Sequence, residues 1–429
     1  MSNYRLLLCF LLLPLLLPAQ RDKLERAQRE FAVGAYAGAM RTLRSEARLI
    51  ETDEEAALLL AVSEFHAGDL LAAEERLLRL ASTERGLPEP LSFFYLGRIY
   101  HAQHQFARAA VEYKRYLRSL GSADTPERRT AINLLRNCDN GIRAGFVSDE
   151  MVAENLGAEI NGEHDEYGPI PSPSGSGRLY FSLTRPVIGQ TRQQSDIVVS
   201  TNEATGWGAP VPLNPLINTD QHESLVDISP NGQRLYYYRG SNERNGSFFV
   251  DTFQYAGTQQ VVTLPLIAPL SAANGDATPF FGAPDGIYFA SDRDGGYGGL
   301  DLYRLPYLPG GRLGPAENLG PNVNTPYDEV TPFVALDGRT LYYSTNDPTY
   351  SVGGFDVVRT QRVSGADLRF VRPENAGMPL NSAGDETHFR LASDTFTAFL
   401  ASDRKDGYGR RDLYIVYFIE PRTEMQPGR

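Results

Sequence analysis

Acidic residues recur at matched positions along the second half of this 429-residue chain: Asp165-Glu166, His222-Glu223, Asp276, Asp328-Glu329 and Asp385. Two converging carboxyls can cleave a glycosidic bond, one donating a proton and the other activating water or attacking the sugar. Catalysis needs carboxyls in unlike environments, so their repetition in nearly every unit points to structure and no catalytic residue is assigned. Of six histidines, at 66, 101, 104, 164, 222 and 388, only His101 and His104 fall at helical spacing. Without a second pair or a nearby Cys they make no metal site, and a solvated helix end is expected. Asp292-Arg293-Asp294-Gly295-Gly296 opens like a calcium loop and Asp403 with Asp406 partly repeats it. The acidic closure is missing, because Tyr303 stands twelve positions along. Ser291, Arg293 and Asp301, with Ser402, Arg404, Asp412 and Asp356, read instead as hydrogen-bonded, charge-paired supports between strands. No Gly-x-Ser-x-Gly elbow occurs, which excludes that class of serine hydrolase, and no cofactor or metal is expected.

These residues sit in five copies of a unit whose starts are 57, 54, 52 and 57 residues apart. Each unit runs from a short apolar segment through a turn such as Leu336-Asp337-Gly338 to an aromatic strand such as Leu341-Tyr342-Tyr343. A Gly-rich loop and a strand opened by Asp follow, at Asp301, Asp356 and Asp412. A period near fifty with four short strands is a propeller blade. The fourth element reads Glu-Asn-x-Gly at Glu317 and Glu374, and once more at Glu154-Asn155-Leu156-Gly157, ahead of the first unit. The last unit lacks its own copy. The spacing therefore predicts that residues near 151–157 supply the outer strand of the last blade, closing a ring whose edges would otherwise stay open. Five blades over 148–422 are expected, with six as the alternative if residues 245–270 hold another.

Between the leader and about Gly145 the apolar residues recur at three and four positions, which calls for amphipathic helices. Tyr36, Leu70 and Phe106 follow turns at spacings of 34 and 36, with Ala39, Ala73 and Ala109 three further on. That is the helix-turn-helix period of tetratricopeptide (TPR) repeats, where the small residue lets two helices approach closely. Helices are expected near 22–33, 36–48, 53–66, 69–82, 91–103 and 106–120, with a capping helix over 126–143. Phe93, Phe94, Tyr95 and Tyr100 are the candidate lining of a peptide-binding groove, and a spacer that only packs on its neighbour is the other reading. The first nineteen residues, with Arg5 before the apolar run Leu6 to Leu17, have the order of a secretory signal cut between Ala19 and Gln20. About twelve apolar residues broken by Pro14 fall short of the roughly 20 that span a bilayer, so no transmembrane span is expected after signal removal. Residues 20–145 then form the helical domain and 423–429 a disordered tail. Cys138 is the one cysteine left, so no internal disulfide can form. A formal charge of −12 argues against nucleic acid as a partner.

The phrases LYFS, IYFASDRDGGYGGLDLY and LYYSTN resemble the PD40 (WD40-like, TolB-type) propeller repeat. The order of helical arm, Asn137-Cys138-Asp139, then ENLGAEINGEHDEYGPIPS entering the propeller is similar to envelope proteins of Bacteroidota, some associated with type IX secretion, that usually end in an OmpA-like domain. The sequence through Arg429 ends directly after the last blade, so a peptidoglycan anchor is not among the expectations carried over. The fold class expected is α + β multidomain, a TPR-like α-helical solenoid followed by a β-propeller with N-terminal strand closure. The resemblance implies a non-catalytic protein-binding scaffold of the periplasm or outer membrane, linked to secretion or outer-membrane assembly, with envelope or secreted proteins as partners. A carbohydrate-binding or carbohydrate-cleaving propeller is the alternative, with glycan as the partner.

Overall fold

The computed structural model describes residues 18–82, 89–144, 150–186, 193–204, 206–242, 245–252, 263–265, 270–363 and 368–422. The leader up to residue 17 and the tail 423–429 lie outside the described residues. The chain divides into two compact units, 1–142 and 143–429.

In the first unit the helices are Pro18–Ala32, Tyr36–Arg44, Ala47–Thr52, Glu54–His66, Leu70–Leu80, Pro90–Ala102, Phe106–Ser119 and Pro126–Arg143. Ala19 and Gln20, the expected cleavage point, fall within the first of them. The helix expected over 36–48 is broken in two at Ser45. There Ser45 Oγ donates to the Thr42 carbonyl and the Glu46 N–H bonds Leu43 O, which turns the chain before a second short helix. Ala39, Ala73 and Ala109 are completely buried, as close helix approach requires. Gly97 serves the same end, since a Cβ there would stand 2.4 Å from the Tyr113 ring. His101 is not at a solvated helix end: it is buried, with Tyr113 Oη at 3.4 Å and Cys138 Sγ at 3.6 Å from its Nδ1. The spacing of His101 and His104 along one helix gave no hint of a cysteine brought in from a helix 37 residues away. His104 is exposed and in the left-handed region. No helix among the described residues is long and apolar enough to cross a membrane.

The second unit is a propeller of five antiparallel sheets. Its inner strands are Glu166–Pro171, His222–Ile228, Ala277–Phe280, Glu329–Val334 and Glu386–Leu391, in blades 1 to 5. Alternation puts aromatic and branched residues between the sheets, as with Phe181, Tyr237, Phe289, Tyr343 and Leu400, all essentially inaccessible. Within 245–270, Gly246–Asp251 and Thr263–Pro265 complete blade 2, so the ring has five blades and not six.

Closure follows the Glu-Asn-x-Gly reading. Met151–Asn155 pairs antiparallel with the last strand, Asp412–Phe418, matching Met151 with Phe418 and Asn155 with Tyr414. Asn155 Nδ2 donates to Asp412 Oδ2 at 2.8 Å, while its Oδ1 accepts from Gly157 N–H and from Asn161 Nδ2. Asn161 in turn clamps Leu413, accepting from its N–H and donating to its carbonyl. Asn318 with Asn324 does the same for Leu302, and Asn375 with Asn381 for Val357. The seam therefore uses the bonds that hold ordinary blades together.

Asn155→Ala should lower the urea midpoint by the equivalent of about 2–3 kcal/mol, because it leaves the buried Asp412 carboxylate short of a donor. Limited proteolysis should then cut first near 412–418. An unchanged midpoint and an intact last strand would refute closure by this residue.

Candidate functional site at the seam between blades 5 and 1

Each inner strand opens with a buried carboxyl, and in four blades it is fully capped. Glu386 accepts from Ser382 N–H, Ser382 Oγ and Ser402 Oγ at 2.5–2.8 Å, with Arg404 at 3.2 Å. Glu329 accepts from Thr325 N–H and Oγ1 and from Thr345 Oγ1. Glu223 is held by Thr219 and Arg239, and Asp276 by Ser271 N–H, Ser291 and Arg293. The supports expected in Ser291, Arg293, Ser402 and Arg404 are thus cross-strand caps. Asp301, Asp356 and Asp412 work elsewhere in the blade: each gathers two N–H groups of its own Gly-rich loop and one Asn side chain.

Blade 1 departs from this pattern. Where blades 2, 4 and 5 have a Ser or Thr four residues before the carboxyl, blade 1 has Gly162, and where they have Arg239, Thr345 and Ser402 opposite it, blade 1 has Leu183. Glu166 is inaccessible, and neither of its carboxyl oxygens has a hydrogen-bond partner among the described residues. Burial pushes its pKa up to about 8, opposed only in part by the nearby Gly162 N–H, which does not reach hydrogen-bond geometry, and reinforced by Asp412 and Asp165. The capped Glu329, whose Thr partners offset part of its burial, is raised only to about 7. Glu166 is accordingly a neutral acid at pH 7. Gly162 is exposed, and a Cβ there would stand 3.5 Å from Glu166 Oε1, so the acid lies one residue beneath the surface.

Asp165 beside it is also released. Its counterparts Asp328 and Asp385 accept the N–H of Leu300 and Phe355, each at 2.9 Å. The half-buried Asp165 carboxyl accepts no hydrogen bond among the described residues, although its backbone is bridged to Arg411. Blade 1 therefore holds its carboxyls in an environment unlike that of the other four copies.

The seam adjoins the propeller axis. All five inner strands shift register at the same place. There Gly168, Thr278, Thr331 and His388 take positive φ, and Thr331 N–H donates to Thr278 Oγ1 as His388 N–H does to Thr331 Oγ1. On one side of this ring Arg390 crosses the axis, donating to Val226 O and Pro332 O, 3.9 Å from Asp227, with its guanidinium over the Phe280 and Phe333 rings. On the other side lies a polar mouth. Tyr167 Oη meets Ser195 and Ser224, Ser224 meets His222 Nε2, and the His388 ring is 5.8 Å from that of Tyr167. Burial, with the nearby Arg411 and Arg390, drives the His388 pKa down to about 3, so its imidazole is neutral.

The aromatics proposed for a groove are placed differently. Phe93, Tyr95 and Tyr100 are buried and Phe94 is half-buried. Phe93 packs with Tyr116 and Ala131, and Arg108 lies 3.9 Å over Tyr100. Their apolar surface is used in helix packing, which corrects their assignment as an open lining.

No family model matches the chain, and no curated protein matches it. Solved structures do. The alpha-L-arabinofuranosidase of Lactobacillus brevis is 15% identical, over 62% of this chain and 92% of that one, with a TM-score of 0.37. Sucrose-6-phosphate hydrolase of Lactobacillus gasseri is 13% identical over 68% and 66%, at 0.34, and the N11 neuraminidase-like protein of a flat-faced bat influenza virus 10% identical over 65% and 96%, at 0.31. At such identities the likeness is one of fold. The expectation of a non-catalytic scaffold is withdrawn on a ground within the chain itself: repetition of the carboxyls excludes catalysis only where each is capped, and Glu166 is not.

The Glu166 pKa carries a sign that can be measured. A carboxyl raised on folding keeps its proton in the native state while the unfolded chain loses it, so stability falls as pH climbs from about 4.5 to about 8. Glu166→Gln should match the wild-type unfolding free energy at pH 4.5 and exceed it increasingly up to pH 8, by on the order of 4 kcal/mol. Gly162→Ser, which restores a capping hydroxyl, should flatten the same difference. A Gln-minus-wild-type difference that does not change with pH would show that Glu166 is not held neutral.

Proposed function

We propose that the propeller cleaves glycosidic bonds at the seam between blades 5 and 1. The observation that carries this is Glu166, the one blade-opening carboxyl whose caps are both replaced, by Gly162 and Leu183. Being neutral at pH 7, Glu166 donates its proton to the leaving glycosidic oxygen as the bond from that oxygen to the anomeric carbon breaks. Asp165 accepts a proton from the water whose oxygen forms the new bond to that carbon, so protons and bonds balance. Tyr167, Ser224 and His222 at the mouth offer hydroxyl, imidazole and ring surfaces suited to sugar. The apolar leader Leu6 to Leu17 and the likeness of the blade phrases to PD40 repeats support a place for this activity in the cell envelope, with the helical unit as a TPR-like companion.

Reducing-end release from a panel of plant, bacterial and animal glycans tests the reading. Wild-type protein should hydrolyse at least one member, and Glu166→Gln and Asp165→Asn should each lower the rate by roughly 10²–10⁴ while retaining the wild-type circular dichroism. Absence of release from every member by the wild type, or full activity in Glu166→Gln, would sink it.

A further inference from the structure

A further change from the repeat sits at the same seam. Arg411 occupies the position that blades 3 and 4 give to Leu300 and Phe355, just before the Asp that opens the third strand. Its backbone does what theirs does, its carbonyl accepting Glu166 N–H at 2.8 Å as Leu300 O accepts Glu329 N–H and Phe355 O accepts Glu386 N–H. Its side chain is new. The guanidinium carbon lies 5.9 Å from the Tyr167 ring centroid, at the axial mouth, and the residue is half-buried. Arg239, Arg293, Arg304, Arg362 and Arg404 each have a carboxylate within 3.2 Å, whereas Arg411 has none within ion-pair distance among the described residues. The charged and titratable groups around it are Asp165, whose backbone is bridged to its own but whose carboxyl is not in ion-pair contact with it, Asp385, whose carboxyl is engaged by Phe355 N–H, the cationic Arg390 beyond the ring, and a neutral His388.

The Arg411 guanidinium thus has an aromatic ring and the field of Asp385 beside it, but its donor fork meets no carboxylate in contact among the described residues. In a chain of formal charge −12, steering of anions by the net field is not the explanation for keeping it. The planar donor fork of Arg suits a carboxylate, which it holds with two parallel bonds. We infer that Arg411 determines specificity, binding the carboxylate of an acidic sugar, so that the glycan taken at this mouth is a uronic or other carboxylate-bearing one. This rests on the carbohydrate reading given above and adds the substrate class to it.

Binding is measured on full-length Glu166→Gln protein, so that it does not depend on hydrolysis. The probes are oligogalacturonate, oligomannuronate, hyaluronan oligosaccharide and sialyllactose, each beside its carboxyl-reduced neutral form, with a sulfated galactan as a further arm. At least one acidic probe should bind about tenfold or more tighter than its reduced form, the worth of one charge-assisted contact. Adding Arg411→Gln should abolish that preference, and Arg411→Lys should keep part of it. Equal binding of acid and reduced forms, survival of the preference in Arg411→Gln, binding of the sulfated galactan alone, or binding of no probe would each overturn the inference. The two readings separate cleanly: neutral glycans cleaved without acid preference leave hydrolysis standing and remove the role of Arg411. An acid preference lost with Arg411, in a wild type that cleaves nothing, does the reverse.

Discussion

The Asn155 side chain, bonded at once to Asp412, Gly157 and Asn161, is the constraint on which the propeller depends. A ring of sheets has no edge only if its last sheet is completed, and here completion comes from a strand some 260 positions earlier in sequence, opposite Tyr414. Such pairing carries the loop-closure cost of most of the propeller, so it must be strongly held locally. The Asn clamp does this by satisfying a buried carboxylate and two backbone groups of Leu413 together. Because the same triad recurs within blades 3 and 4, closure needed no special chemistry, only a copy of the phrase placed ahead of the first blade.

A repeat fold also makes its exceptions informative. Four of the five blade-opening carboxyls are saturated with donors, and a saturated carboxylate has little left to offer a substrate. Blade 1 gives up two hydroxyl caps, leaves Asp165 without its backbone donor and faces Arg411 in place of an apolar residue. All of these changes fall at one seam. Random loss of structural bonds would scatter over five blades, and each uncapped buried carboxyl costs stability. They concentrate instead where the first and last blades meet, and departures from a repeat's own rules gathered at one place are what set a candidate site apart from drift.

The blade count, the strand order and the closing strand were legible in the sequence because each rests on short phrases repeated at a near-constant spacing. The helices were legible in outline, but the break at Ser45 was not, since a single Ser competes with the helix through its own side chain. The singularity of Glu166 was present in the letters: aligning NSAGDE, NTPYDE and NTDQHE with NGEHDE exposes Gly162, and aligning the second strands exposes Leu183. Counting carboxyls rather than their caps hid it. Arg390 and the His101 and Cys138 pair could not be read at all, because their partners come from other blades or other helices and no local pattern announces them.

Arg390 also fixes which face of the ring can serve the seam. Spanning from blade 5 to carbonyls of blades 2 and 4, with Asp227 at 3.9 Å and two aromatic rings about it, it fills the axis on one side of the register shifts. Among the described residues, the side where the carboxyls open their strands is the one that Arg390 does not fill. Burial, then Arg411, then the charge of this plug hold the His388 imidazole neutral. His388 is then a neutral base, and of these two groups the one that holds a proton at neutral pH is Glu166, on which burial works in the opposite sense. One environment, poor in water, thus selects between two titratable groups by the sign of the charge each would have to carry.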